Sequence, residues 1–125
     1  MVRVIRSIAA VLLGYVVFAG AAYALFRFSG QAPHAHASPA FMLASIVSGV
    51  VFACLGGYLA ARLAGHHPRG HGVAVALLLA LGAAASLAAT RGHGAVWSQV
   101  AALVLMAPSA ALGGMLRARS RSSAP

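Results

Sequence analysis

The chain has 125 residues, 62% of them hydrophobic and only 7% charged, and all nine charges are arginines. A soluble domain of this size gives about 25% of its residues to charge, so a water-soluble enzyme and a disordered tail are both excluded. One helical crossing of a bilayer needs about 20 apolar residues, and the composition therefore reads as an all-α, polytopic membrane protein: a single four-transmembrane-helix bundle over residues 1–125, with two tandem helical hairpins as one arrangement of it.

The first apolar run covers residues 7–26, behind Arg3 and Arg6. The segment Ala35-His36-Ala37 offers an alternative reading as a secretory cleavage site, but the run is longer than the 7–15 residues of a signal core, and it reads as a retained helix. Residues 27–39, RFSGQAPHAHASP, are a loop by their Gly, Pro and Ser content. The second run covers residues 40–61 and ends near Arg62, with Gly65 and Pro68 as helix-stop signals. The third covers 72–90, and the short link RGHGA leads into the fourth, 96–116, with a basic tail over 117–125. No run alternates in the manner of a barrel strand, and helix is the form that satisfies a backbone in lipid. Short links make neighbouring helices antiparallel.

The arginines lie in the gaps between runs rather than along one face of a soluble fold, so nucleic acid is not the partner they imply. Seven of them (Arg3, Arg6, Arg62, Arg69, Arg117, Arg119 and Arg121) fall at one end of a four-crossing chain, and Arg27 and Arg91 at the other. Positive residues collect on the cytoplasmic side. This places both termini in the cytoplasm and the protein in the cell's inner (plasma) membrane. Tyr23, Phe26, Phe28, Phe41 and Trp97 then mark the outer interface and Tyr58 the inner one. Arg117, Arg119 and Arg121 are expected at the membrane surface, against anionic lipid headgroups, at about 1 kcal/mol each.

Packing between helices in lipid relies on small residues that let backbones approach. The second run offers Ser45, Gly49, Ala53, Gly56 and Ala60 at steps of three and four. The fourth offers Ser109 with Gly113 and Ala110 with Gly114, the third Gly82, Ser86 and Ala89, and the first Ala10, Gly14, Ala21 and Ala24. Such stripes serve packing within the bundle, or one of them, on the second run, faces a second copy or another membrane protein. Leu55-Gly56-Gly57-Tyr58 and Leu112-Gly113-Gly114-Met115 echo one another, either as two hairpins of like orientation would or by the chance similarity that a chain rich in Ala, Leu and Gly produces. Pro108 is expected to kink the fourth helix.

With no carboxylate there is no acid–base pair, no hard-cation site and no proton relay of the usual kind, and no catalytic centre or cofactor is expected. The crossing count is similar to that of small multidrug resistance transporters and of fluoride channels. The first require an intramembrane glutamate and the second a pore asparagine, residue types this chain lacks, so neither resemblance is carried over. Lone Cys54 reads as a small apolar filler. His34, His36 and His93 on one side, and His66, His67 and His71 on the other, are the metal-ligand candidates, without carboxylates to orient their rings. Serines within the helices are expected to bond to their own backbone, and Gln99 to bond a neighbouring helix or to line a vestibule. Three functional readings follow. The first is a structural or accessory subunit acting through helix–helix contacts with itself or a larger complex. The others are an oligomeric channel or carrier for a neutral or anionic solute, and an outward-facing histidine metal module.

Overall fold

A computed structural model describes residues 1–32, 36–91 and 96–122. These residues form four long helices: α1 (Val2–Ser29), α2 (Pro39–Ala64), α3 (Pro68–Thr90) and α4 (Trp97–Ser122), each long and apolar enough to cross a membrane. The chain is a multi-pass, four-helix bundle. Its helices outrun their apolar stretches: α1 starts five residues before the run 7–26 and ends three after it, α2 begins one residue before the run 40–61 and ends three after it, and α3 begins at Pro68 rather than Gly72. α4 runs on through Arg117, Arg119 and Arg121, where a basic tail was expected. The physical reason is that hydropathy marks the hydrocarbon boundary, whereas the backbone stays helical through the headgroup layer. At about 1.5 Å per residue, the 28 residues of α1 match the whole bilayer thickness of about 40–45 Å.

The helix ends follow local chemistry. Gly30 and Gly65 close α1 and α2 in the left-handed conformation, at φ 75° and 77°. The Ser38 hydroxyl accepts the Phe41 N–H (3.2 Å) ahead of Pro39 at the first helical position of α2.

In cross-section the helices form a rhombus. α2 packs on α1 and α4, α3 packs on α4 and α1, and α2 meets α3 across the short diagonal, while the backbones of α1 and α4 stand apart at opposite corners. The crossings use glycines because backbone meets backbone. A Cβ on Gly14 would lie 2.5 Å from the Gly56 carbonyl oxygen, and one on Gly72 would lie 2.6 Å from the Gly114 Cα. At the α2–α4 crossing the contacts are reciprocal. Gly57 lies against the Ala110 carbonyl and Gly113 against the Cys54 carbonyl, each three residues before the opposing glycine. The two echoing Gly-Gly segments therefore meet at equal depth on two parallel helices, as a two-fold along the bundle would bring them.

The packing face of α3 differs from the one its small residues suggested. His71, Gly72, Val75, Leu79 and Ala83 are buried, whereas Gly82 and Ala89 are exposed. In an alanine-rich helix every face carries small residues, and the buried one is selected by Val75 and Leu79, which fill the centre of the bundle. Pro108 does not break α4. Instead residues Ala102–Met106 form a π-helical wide turn, with the Ala107 N–H reaching the Ala102 carbonyl. Proline at position 108 lacks the N–H that would bond Val104 and its ring crowds that carbonyl, and one wide turn absorbs the misfit.

Candidate functional site

Polar side chains gather at the two ends of the bundle. At the end that holds both termini, three successive carbonyls at the C-terminus of α2 are capped. Arg6 Nε donates to Leu63 O (2.6 Å), His66 Nδ1–H to Ala64 O (2.9 Å) and Arg121 to Gly65 O (3.3 Å). A helix C-terminus carries orphan carbonyls and a partial negative charge, and basic groups belong there. Through these bonds α1, the α2–α3 link and α4 meet at one end. Arg121, expected on lipid headgroups, thus bonds protein backbone. Arg117 is half-buried, its Nε without a partner among the described residues, and Arg119 is exposed.

The histidines at this end do not form a metal site. With Nδ1–H donated to Ala64, His66 accepts the Ser7 hydroxyl at Nε2 (3.2 Å), so no lone pair remains for a cation. His71 lies within α3, buried, and donates Nδ1–H to His67 O (3.0 Å). Its ring stands edge-on to His66 at 5.0 Å. Among the described residues no three histidines or cysteines are grouped to hold a metal. Of the other set, His36 is exposed, and His34 and His93 lie outside the described residues.

The opposite half of the bundle holds a cavity of about 260 Å³ between all four helices. α1 presents Tyr15, Phe18 and Phe26; α2 presents Ser45, Ser48 and Gly49; α3 presents Gly82 and Ser86; and α4 presents Trp97, Ser98, Gln99 and Met106. The cavity exists because α1 packs tightly only at Ala10 and Gly14, its buried residues, and is partly exposed beyond them. Glycines shape the walls. A Cβ on Gly82 would stand 3.2 Å from the Tyr15 hydroxyl, and one on Gly49 would overlap the Met106 thioether, 2.6 Å from its sulfur. Phe26 and Trp97 pack on each other and on Phe41 with ring centroids 5.9–6.4 Å apart, an aromatic cluster at the end of the cavity away from the termini.

Two polar side chains in this cavity are buried to 4% exposure with an atom unpaired among the described residues: Ser45 Oγ and Gln99 Oε1. Gln99 is held to α3 through its amide nitrogen. Thr90 donates its hydroxyl hydrogen to Ser86 O (3.1 Å) and Leu87 O (3.3 Å) on its own helix, leaving Thr90 Oγ1 as an acceptor. Gln99 Nε2 donates to Ser86 Oγ (2.9 Å) and lies 3.5 Å from Thr90 Oγ1, and Oε1 has no partner among the described residues. Ser45 differs from Ser109 and Ser122, whose hydroxyls bond Leu105 O (2.7 Å) and Ala118 O (3.1 Å) one turn back. A buried polar atom without a partner costs about 1–3 kcal/mol, and two at one cavity mark a place where hydrogen bonds can be completed.

The small-residue stripes fall in several places. Ala53, Gly56 and Ala60 are buried inside the bundle, Gly56 against Gly14, and Gly113 lies on α2. Ser45 and Gly49 line the cavity instead. Ser109 is half-buried and turned to its own helix, while its neighbour Ala110 is fully buried. Sequence reasoning missed the cavity roles of Ser45 and Tyr15. The available signal was that hydroxyls, Gln99 and the aromatics concentrate in the same half of all four runs. Compared with protein-family models, with curated proteins and with solved structures, the chain matches none.

Proposed function

We propose that the bundle is a solute-binding membrane protein of the carrier type, and that its solute is a small uncharged molecule offering a hydrogen-bond donor. The observation that carries this reading is the pair Ser45 Oγ and Gln99 Oε1, buried and unpaired at one cavity. The Gln99 carbonyl can only accept a hydrogen bond, so the solute presents a hydroxyl or N–H. No arginine lines the cavity, which favours the neutral solute over an anion, and no carboxylate exists to hold a cation. A volume of 260 Å³ corresponds to about nine waters at ~30 Å³ each, room for a molecule of roughly a dozen non-hydrogen atoms. The accessory-subunit reading rests on small-residue faces that the bundle itself largely occupies, so the cavity supports solute binding better. The arginine-rich end that holds the termini favours a cytoplasmic placement for both, in the plasma membrane.

Trp97 is the sole tryptophan and lines the cavity, so its emission reports occupancy. Titration of the detergent-solubilised protein with benzyl alcohol is expected to change that emission saturably. Replacing the acceptor, Gln99→Leu, should weaken binding roughly three- to tenfold, the value of one hydrogen bond, and leave the response to toluene unchanged. Superimposable benzyl alcohol titrations for the two proteins would overturn the reading.

A further inference from the structure

A second recess, of about 500 Å³, lies between α1 and α3 at the end that holds the termini. It and the solute cavity follow one seam, end to end. On α1 the groove is lined as far as Leu12, and the cavity begins one turn later at Tyr15. On α3 Leu78 and Leu81 line the groove while Leu79 and Gly82 line the cavity, so a single helical turn borders both spaces.

Tyr15 stands at the boundary. It packs on the buried cluster that includes Val75 and Leu79, and its hydroxyl lies 3.2 Å from where a Gly82 Cβ would be. That hydroxyl makes no hydrogen bond among the described residues. The ring is therefore held by packing alone, with no hydrogen bond to break when it turns about its Cα–Cβ bond. The other end of the cavity is closed more firmly, by the mutually packed rings of Phe26, Phe41 and Trp97.

The far end of the groove makes the same chemical demand as the cavity. His71 gives its Nδ1–H to His67 O, which leaves Nε2 as an acceptor, and Ser7 gives its hydroxyl hydrogen to His66, which leaves the oxygen's lone pairs. Both residues line the groove. They suit a solute that offers a hydrogen-bond donor, as Gln99 Oε1 does in the cavity. No arginine lines either space.

We propose that the α1–α3 seam is the solute's route between the cavity and the end that holds the termini, and that Tyr15, set against Gly82, is the gate on it. The proposal rests on the carrier reading and supplies the path that a carrier needs to one side of the membrane. A gate of this kind sets the rate of exchange rather than the affinity.

Exchange of 4-fluorobenzyl alcohol with the detergent-solubilised protein, followed by 19F NMR, gives the Kd and the association and dissociation rates separately. Ala74→Phe, which plugs the groove outside the cavity, should slow both rates roughly tenfold and leave the Kd within about twofold of wild type. Ala74→Leu, a smaller plug, should slow both rates by less. Tyr15→Ala should raise the association rate roughly tenfold, and Phe41→Ala, at the aromatic end, should raise it less. Wild-type rates in the Ala74 variants, or a greater acceleration in Phe41→Ala than in Tyr15→Ala, would overturn the route while saturable binding leaves the carrier reading standing. A wild-type protein without saturable binding would overturn that reading and the route with it.

Discussion

The α2–α4 crossing gives a sharp prediction, because the obstacle to any side chain there is backbone. In Gly57→Ala the new methyl would stand 2.7 Å from the Ala110 carbonyl carbon and 3.0 Å from its Cα, where ordinary contact begins at 3.4 Å. A carbonyl in a helix cannot rotate away, so α4 must retreat by about 1 Å. A gap of that size forfeits a quarter to a half of each ~0.15 kcal/mol atom contact, and over on the order of 40 pairs the loss is about 2 kcal/mol. Alanine regains about 1 kcal/mol of helix propensity over glycine, and residual strain adds to the loss, for a net destabilisation of about 1–2 kcal/mol. Gly113→Ala meets the Cys54 carbonyl and the Tyr58 nitrogen at the same crossing and should behave alike. One retreat of α4 serves both methyls, so the double variant should lose clearly less than the two single losses together. Gly20→Ala is the control: nothing lies within 4 Å of its methyl, and it should be neutral or stabilising by up to about 1 kcal/mol. Unfolding followed by circular dichroism in a sodium dodecyl sulfate titration measures all four. A Gly57→Ala protein as stable as Gly20→Ala, or strict additivity in the double variant, would refute the reciprocal crossing.

Other expectations concern the cavity and the topology. Gly49→Ala displaces only the flexible end of Met106, so its unfolding midpoint should stay within about 0.5 kcal/mol of wild type while benzyl alcohol binding, read from Trp97, weakens; unchanged binding would count against the cavity's shape. Pro108→Ala restores an N–H that can bond Val104 and removes the cause of the wide turn at Ala102–Met106, rotating Gln99 relative to the rest of α4. Benzyl alcohol affinity should fall with no loss of stability, and a variant with wild-type affinity would separate the wide turn from the site. Reporter fusions at the two termini should both score as cytoplasmic, and opposite scores would contradict the arrangement in which Arg6 and Arg121 cap the same helix end.

The four crossings were legible because hydrocarbon imposes a length and a composition that runs such as residues 7–26 and 40–61 satisfy. Helix ends were not, since Arg3, Arg6 and Arg121 stay helical in the headgroup layer and charge marks the hydrocarbon edge only. Small residues identified the close approaches at Gly14, Gly56 and Gly113, where the contact is backbone on backbone. On α3 the same rule was right in part: Gly82 and Ser86 line the cavity and Ser86 bonds α4, whereas Ala89 is exposed and the buried stripe runs through Val75 and Leu79. The candidate site was only half visible. Gln99 stood out as an amide inside a helix, and its nitrogen bonds α3 while its oxygen is left buried and without a partner among the described residues beside the cavity. Ser45 was hidden among packing residues, because whether a helical hydroxyl turns to its own backbone, as Ser109 does, or away from it is decided by neighbours that no periodicity reveals.

In the function proposed above, the Gln99 carbonyl receives a donor from a small neutral molecule. The chain has two glutamines, Gln31 and Gln99, so protein labelled with 15N only at glutamine side chains gives two side-chain amide signals. Benzyl alcohol should shift the Gln99 pair saturably, toluene far less, and neither should move the exposed Gln31. Two amides that respond equally, or a Gln99 pair that stays in place at saturating alcohol, would contradict it.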